Sequence, residues 1–185
     1  MRETNRSIMP EFLTRYSTRA FTNRQPTRES VLGILEAARF APSSGNEQPW
    51  RFVIGWKKTE IHHQIFSTLT EKNQTWNEGT STFLVLIAKQ SFTRIDKENH
   101  WANFDLGSAW GFMQIQAEHD GIATHAMAGF DGEALSRILG LSDEFKPVVV
   151  VALGYYGDPA NLSEKDQLRH GPRERRSVEA SILAE

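Results

Sequence analysis

The chain has 185 residues, with 21 Lys plus Arg against 23 Asp plus Glu, a formal net charge of −2 and no cysteine. Near-neutral charge argues against a nucleic-acid-binding module, which carries a clear basic excess. The lack of cysteine excludes disulfides, a thiolate nucleophile and Cys-based metal or iron–sulfur sites.

Hydrophobic residues make up 39%, enough for a core. No apolar run approaches the ~20 residues that span a bilayer, and the start MRETNRSIMPEF lacks the apolar stretch of a signal peptide. The expectation is one domain over residues 1–185 with no membrane partner, cytoplasmic by default.

In chain order, Pro10 suits the first turn of a short helix leading into Arg15-Tyr16-Ser17-Thr18-Arg19. That segment carries two guanidiniums and a hydroxyl, planar bidentate donors and a neutral one, of the kind that hold phosphate. Alone it reads as a solvated turn. Thr27 is a good N-cap for a helix whose Val31, Ile34, Leu35, Ala38 and Ala41 share one face until Pro42 ends it. Pro42-Ser43-Ser44-Gly45-Asn46-Glu47-Gln48-Pro49-Trp50 is a stiff loop rich in small polar groups. It reads equally as a helix-to-strand connection or as donors and acceptors presented to a ligand.

The runs 51–56, 83–88 and 148–153 are β-branched or apolar and predict buried strands. Between the last two, residues 104–120 are apolar on nearly every side before Gly121, which predicts a helix in a core or across a subunit interface. After a short extended run comes Met127-Ala128-Gly129-Phe130-Asp131. Gly129 permits an unusual backbone angle there, and a helix capped by Asp131 follows, until Gly140. Alone this is an ordinary strand–turn–helix. From Gly154 to Arg176 the chain turns polar and reads as a loop, with Arg173-Glu174-Arg175-Arg176 alone a solvated tail. Helices and strands mix without βαβ alternation, so the predicted class is α+β.

There is no G-x-G-x-x-G after a strand, no G-x-x-x-x-G-K-[ST], no H-E-x-x-H and no G-x-S-x-G. His119, Asp120 and His125 come nearest to a metal cluster, but a helix end and a following extended segment make them diverge. No metal site is expected, at these residues or at His62 and His63. Two separated Arg-rich segments, an amide-rich loop and a glycine turn together match what a phosphorylated, polyhydroxyl, heteroaromatic cofactor needs.

In this order and at these spacings the segments resemble the FMN-dependent nitroreductase family. The R-x-S-x-R start, the helix ending in A-P-S-S-G-N-E-Q-P-W-R-F, the M-A-G-F-D turn and the late R-x-R cover the chain from about Arg15 to Ser177. The resemblance implies an α+β sandwich, a central mostly antiparallel sheet flanked by helices, in a homodimer with FMN sites at the interface. Arg15, Ser17, Arg173 and Arg175 would hold the FMN phosphate, and Arg19 would approach the pyrimidine end of the ring. Ser43, Ser44, Asn46 and Gln48 would come from the other subunit. The backbone of Met127, Ala128 and Gly129 would face the flavin, and Asn73 would reach the ring edge.

By the same resemblance NAD(P)H donates hydride and a small acceptor, a nitroaromatic or quinone, takes the electrons in ping-pong order. The flavin carries the chemistry, so no catalytic acid or base is named. Alternatives are a dehalogenase or flavin-cleaving enzyme of the same fold, a non-catalytic FMN-binding or storage protein, or a cofactor-free interaction domain. Many members continue past the equivalent of Ser177 into an arm that wraps the partner; eight residues follow here, so a short arm or none is expected. The brief polar segment 90–103 implies an open site. Trp76 and Trp101, beside its opening, read as partly buried structural residues.

Overall fold

The computed structural model describes residues 4–184. Its elements are α1 (Pro10–Thr14), α2 (Arg28–Arg39), β1 (Trp50–Trp56), α3 (Glu60–Thr68), α4 (Glu71–Asn77), β2 (Thr82–Lys89), α5 (Ala102–His119), β3 (Ala123–Met127), α6 (Gly132–Ile138), β4 (Phe145–Gly154) and α7 (Glu164–Gln167). The four strands form one antiparallel sheet in the order β1-β2-β4-β3.

β2 explains the layering. All eight of its residues are buried, because helices cover both faces of the sheet, and a strand so placed reads as a continuous apolar run rather than an alternation. Leu84, Leu86 and Ala88 point into a core with Val31 and Ile34 of α2 and Leu106, Ala109 and Met113 of α5. Phe83, Val85 and Ile87 point the other way, with Ile65 of α3 and Leu135 of α6. Each fully buried Leu, Ile or Phe contributes about 1.5–3 kcal/mol from area removed from water. The result is a helix–sheet–helix sandwich, the α+β class expected from the sequence.

Helix starts follow their caps. Thr27 accepts from the Ser30 N–H and Asp131 from the Ala134 N–H. α5 ends before Gly121, whose φ is +69°. Its burial is one-sided: Ala102, Leu106, Ala109, Met113 and Ala117 are covered, whereas Trp101 beside its start, Phe104 and Phe112 are exposed. The stretch 154–176 departs from the loop reading. Ser163 caps α7 by accepting from the Asp166 N–H.

The segment after α1 is pinned beside the end of β4. Phe21 bridges Tyr156, the Thr22 N–H donates to the Tyr155 carbonyl, and the Gly157 N–H donates to the Ala20 carbonyl. A Cβ at Gly157 would lie 2.7 Å from the Phe21 carbonyl carbon, so this approach requires glycine. It carries Arg15–Arg19 towards β3 and the chain's last turns.

Candidate functional site

Residues from three distant stretches close a cavity of about 220 Å3. Arg15, Tyr16, Ser17 and Arg19 come from the segment after α1, and His125 from β3. Asp166, Arg169, His170, Gly171, Arg173 and Arg175 come from α7 and the chain beyond it. Arg15, Ser17, Arg19, Arg173 and Arg175, singled out in the sequence for phosphate and ring, thus line one pocket.

Two contacts join its halves: Arg19 Nη1 pairs with Asp166 Oδ1 at 2.5 Å, and the Tyr16 hydroxyl shares a 3.0 Å hydrogen bond with His170 Nε2. Burial lowers the pKa of the Arg15 guanidinium from its usual value. His125 Nδ1 donates to the Thr18 carbonyl at 2.7 Å, a partner that can only accept, so Nδ1 carries the ring proton. Burial holds its pKa down, the Thr18 bond pulls it partly back, and Arg19 and Arg15 depress it further, which keeps the imidazole neutral.

The site continues along β3 and α4. Trp76 packs on His125 at 4.5 Å between ring centroids and lies beneath the Arg19 guanidinium at 5.9 Å. Three residues earlier on α4, Asn73 Nδ2 donates to the Gly129 carbonyl at 2.9 Å, and the Thr70 N–H donates to the same oxygen at 3.0 Å. Asn77 Nδ2 donates to Met127 Sδ at 3.1 Å, while Ala128 is exposed.

One expectation needs correcting. Gly129 does not adopt a positive φ. It is needed for space, since a Cβ would meet Asn73 Nδ2 at 2.7 Å and Thr70 Oγ1 at 3.0 Å. The amides beyond it are also engaged, Asp131 N–H by the Thr68 carbonyl and Ala134 N–H by the Asp131 side chain.

Ser43, Ser44, Asn46 and Gln48 stand apart. They do not line the cavity of their own chain. Their loop is tightly held: the Ser44 N–H donates to the buried Asp105 carboxylate at 3.0 Å, and the Gln48 N–H donates to Ser43 Oγ at 3.0 Å. Thr93 donates to Glu47 through its N–H at 2.9 Å, with the buried Lys89 ammonium 4.0 Å from the same carboxylate. Asn46 and Gln48 have φ of +56° and +53°, a region costing a non-glycine residue about 1–2 kcal/mol. The bonds just named hold that strained conformation in place.

The sequence reading missed Tyr16, His125, Asp166, Arg169 and His170 as pocket residues. It had weighed His125 only as a metal ligand. His125 goes to Thr18, and His119 Nδ1 goes to Glu11 at 2.8 Å. Trp76 is half-buried, as read; Trp101 is 57% exposed, contrary to its reading. Among the described residues no helix is long and apolar enough to cross a membrane.

Comparison with known proteins gives concordant matches. The nitroreductase family model matches residues 13–79 and 56–155. A protein of Archaeoglobus fulgidus described as a putative NADH dehydrogenase/NAD(P)H nitroreductase is 29% identical over 157 residues, 83% of this chain and 87% of that one. An iodotyrosine deiodinase of Thermotoga neapolitana is 24% identical over 166 residues, covering 78% and 86%. A crystal structure of an oxidoreductase containing FMN superposes with a TM-score of 0.92 at 32% identity, over 98% of this chain and 93% of that one.

Proposed function

The chain belongs to the nitroreductase family, and from that premise we propose that it is an FMN-dependent oxidoreductase. It takes hydride from NAD(P)H and passes electrons to a small acceptor such as a nitroaromatic or quinone, in ping-pong order. The observation that carries this reading is the convergence of five arginines and Ser17 on one cavity, from chain segments some 150 residues apart. The 32% identity to an FMN-containing oxidoreductase supports it.

The residues present fit the cofactor. Guanidinium forks match phosphate oxygens in pairs, and Arg19 Nε is buried with no partner, an unmet donor suited to an acceptor-rich ligand. In this reading Arg15, Ser17, Arg173 and Arg175 bind the phosphate. Arg19 sets positive charge towards the pyrimidine end, while Trp76 and His125 fill the space behind it. Asn73 fixes Gly129, and with it the backbone of Met127 and Ala128 along the ring. When bound, FMN supplies the hydride chemistry; the protein contributes position and electrostatics, and no side chain need act as acid or base.

The single-chain cavity is smaller than the ~300–1,000 Å3 usual for such ligands. A second copy of the chain completes it, bringing Ser43, Ser44, Asn46 and Gln48. The exposed Phe104 and Phe112 of α5, with Trp101 beside Phe104, give that copy an apolar face to cover.

The test is an absorbance spectrum of the purified protein, then anaerobic NAD(P)H. Twin flavin bands that bleach on addition are expected. A spectrum that stays featureless after incubation with FMN would sink the reading. The deiodinase relative favours a second one, reductive dehalogenation at the same site. NAD(P)H consumption that responds to a halogenated phenol and not to nitroaromatics or quinones would select it.

A further inference from the structure

The pocket proposed to hold the cofactor has one feature at odds with a pure anion site. Among its described lining residues, a carboxylate, Asp166, stands with five arginines. It is not a swinging surface group. Oδ1 is paired with Arg19 Nη1 at 2.5 Å, and Oδ2 accepts from Ser163 Oγ at 2.9 Å. The Asp166 N–H returns a bond to the same Ser163 Oγ. The Arg19 and Asp166 side chains are only 21% and 19% exposed, so water screens the pair weakly and the carboxylate is a fixed part of the pocket wall.

We propose that Asp166 tunes the cofactor: its carboxylate partly neutralises Arg19 and lowers the reduction potential of the FMN held here. This rests on the flavin reading above. Hydride transfer moves two electrons and one proton from NAD(P)H, leaving NAD(P)+, and the neutral oxidised ring gains one unit of negative charge until a proton follows from solvent. A fixed carboxylate in the same pocket opposes that charge wherever in the pocket the ring lies. At a separation of several ångströms and an effective dielectric of about 20, one such charge changes the balance between the two oxidation states about tenfold or more. The consequence is a flavin that reduces less readily and, once reduced, delivers electrons to more demanding acceptors.

The experiment compares the FMN midpoint potential of the wild-type holoprotein with that of Asp166→Asn, alongside thermal melting. Asparagine keeps an oxygen for Ser163 and a similar shape but removes the charge. The expected result is a preference for reduced over oxidised FMN about tenfold stronger than in wild type, a rise of about 30 mV for a two-electron couple, with melting little changed. A second variant guards against a misfolded first one. Arg169→Gln removes a cation from the same wall at an exposed position, and its potential should fall, with the preference for reduced over oxidised FMN weakened severalfold. A potential unmoved in the variants, or lowered by Asp166→Asn, would overturn the tuning role and leave Asp166 as a strut for α7. Wild-type protein that takes up no FMN would overturn the flavin reading itself, and the tuning role with it.

Discussion

Two regions of this molecule carry polar groups suited to one ligand, and they are built in opposite ways. The arginine pocket is assembled from segments at the two ends of the chain, and its halves meet through side chains, Arg19 with Asp166 and Tyr16 with His170. The loop 42–49 is local. It holds Asn46 and Gln48 at positive φ and is anchored by buried carboxylates and its own hydroxyl, through Asp105 to Ser44 N–H, Glu47 to Thr93 and Ser43 to Gln48 N–H. The arginine cluster is assembled within one chain; the loop is rigid yet lines no part of that pocket. In the proposed function this rigid loop serves the site of a second copy.

Breaking the pocket should have the largest effect. Replacing Arg15 and Arg175 together by Ala removes two charged donor groups, each with hydrogen bonds of about 1.5–3 kcal/mol. FMN affinity, followed by quenching of flavin fluorescence, should fall at least ~100-fold while the circular dichroism spectrum stays that of the parent. Retention of parental affinity would mean that phosphate binds elsewhere.

Disturbing the loop should cost less and act differently. Asp105→Ala leaves the Ser44 N–H without its acceptor and should destabilise the protein by about 1–3 kcal/mol in urea unfolding. FMN affinity should weaken even though the substitution lies outside the cation pocket. Asp105→Asn, which keeps an acceptor oxygen, should recover most of both losses. If Asp105→Ala lost stability but bound FMN as tightly as wild type, the loop would not belong to the cofactor site.

The smallest effect is a pH dependence. His125 is held neutral in the folded state, with its pKa below the usual histidine value of about 6.5. Below about that pH the unfolded chain binds a proton that the folded chain refuses, so stability contributed here is present above the unfolded pKa and lost as pH falls. The melting temperature should drop between pH 7 and 5, and less steeply in His125→Gln. Equal slopes in the two proteins would show that the pocket histidine does not titrate as its burial implies.

How much of this was legible beforehand follows from what each element is made of. The strands stood out because apolar runs at 51–56, 83–88 and 148–153 have no other use in a chain this size; they lie within observed strands of 50–56, 82–89 and 145–154. Thr27 and Asp131 are local signals and acted locally. α4 was invisible because EKNQTWN has no apolar face; its place comes from tertiary contacts, Trp76 on His125 and Asn73 on Gly129. The five pocket residues named in advance were found by pattern. Asp166, Arg169 and His170 were not, because their relation to Arg19 and Tyr16 exists only once the chain's ends meet. Gly129 was noticed for the wrong property, since a glycine required for space and one required for φ look alike in a sequence.

The way the two ends meet has a consequence for how the molecule is held shut. Arg15 and Arg175 are 160 positions apart (175 − 15) and line the same 220 Å3 cavity. Any anion gripped by both acts as a non-covalent clasp across almost the entire polypeptide. Closing so long a loop is entropically costly in the open chain, and a ligand that binds only the closed form favours it in proportion to occupancy. The segments around Arg15 and Arg175 should open least when the pocket is filled, so the supply of ligand would also govern how long they remain out of reach of proteases.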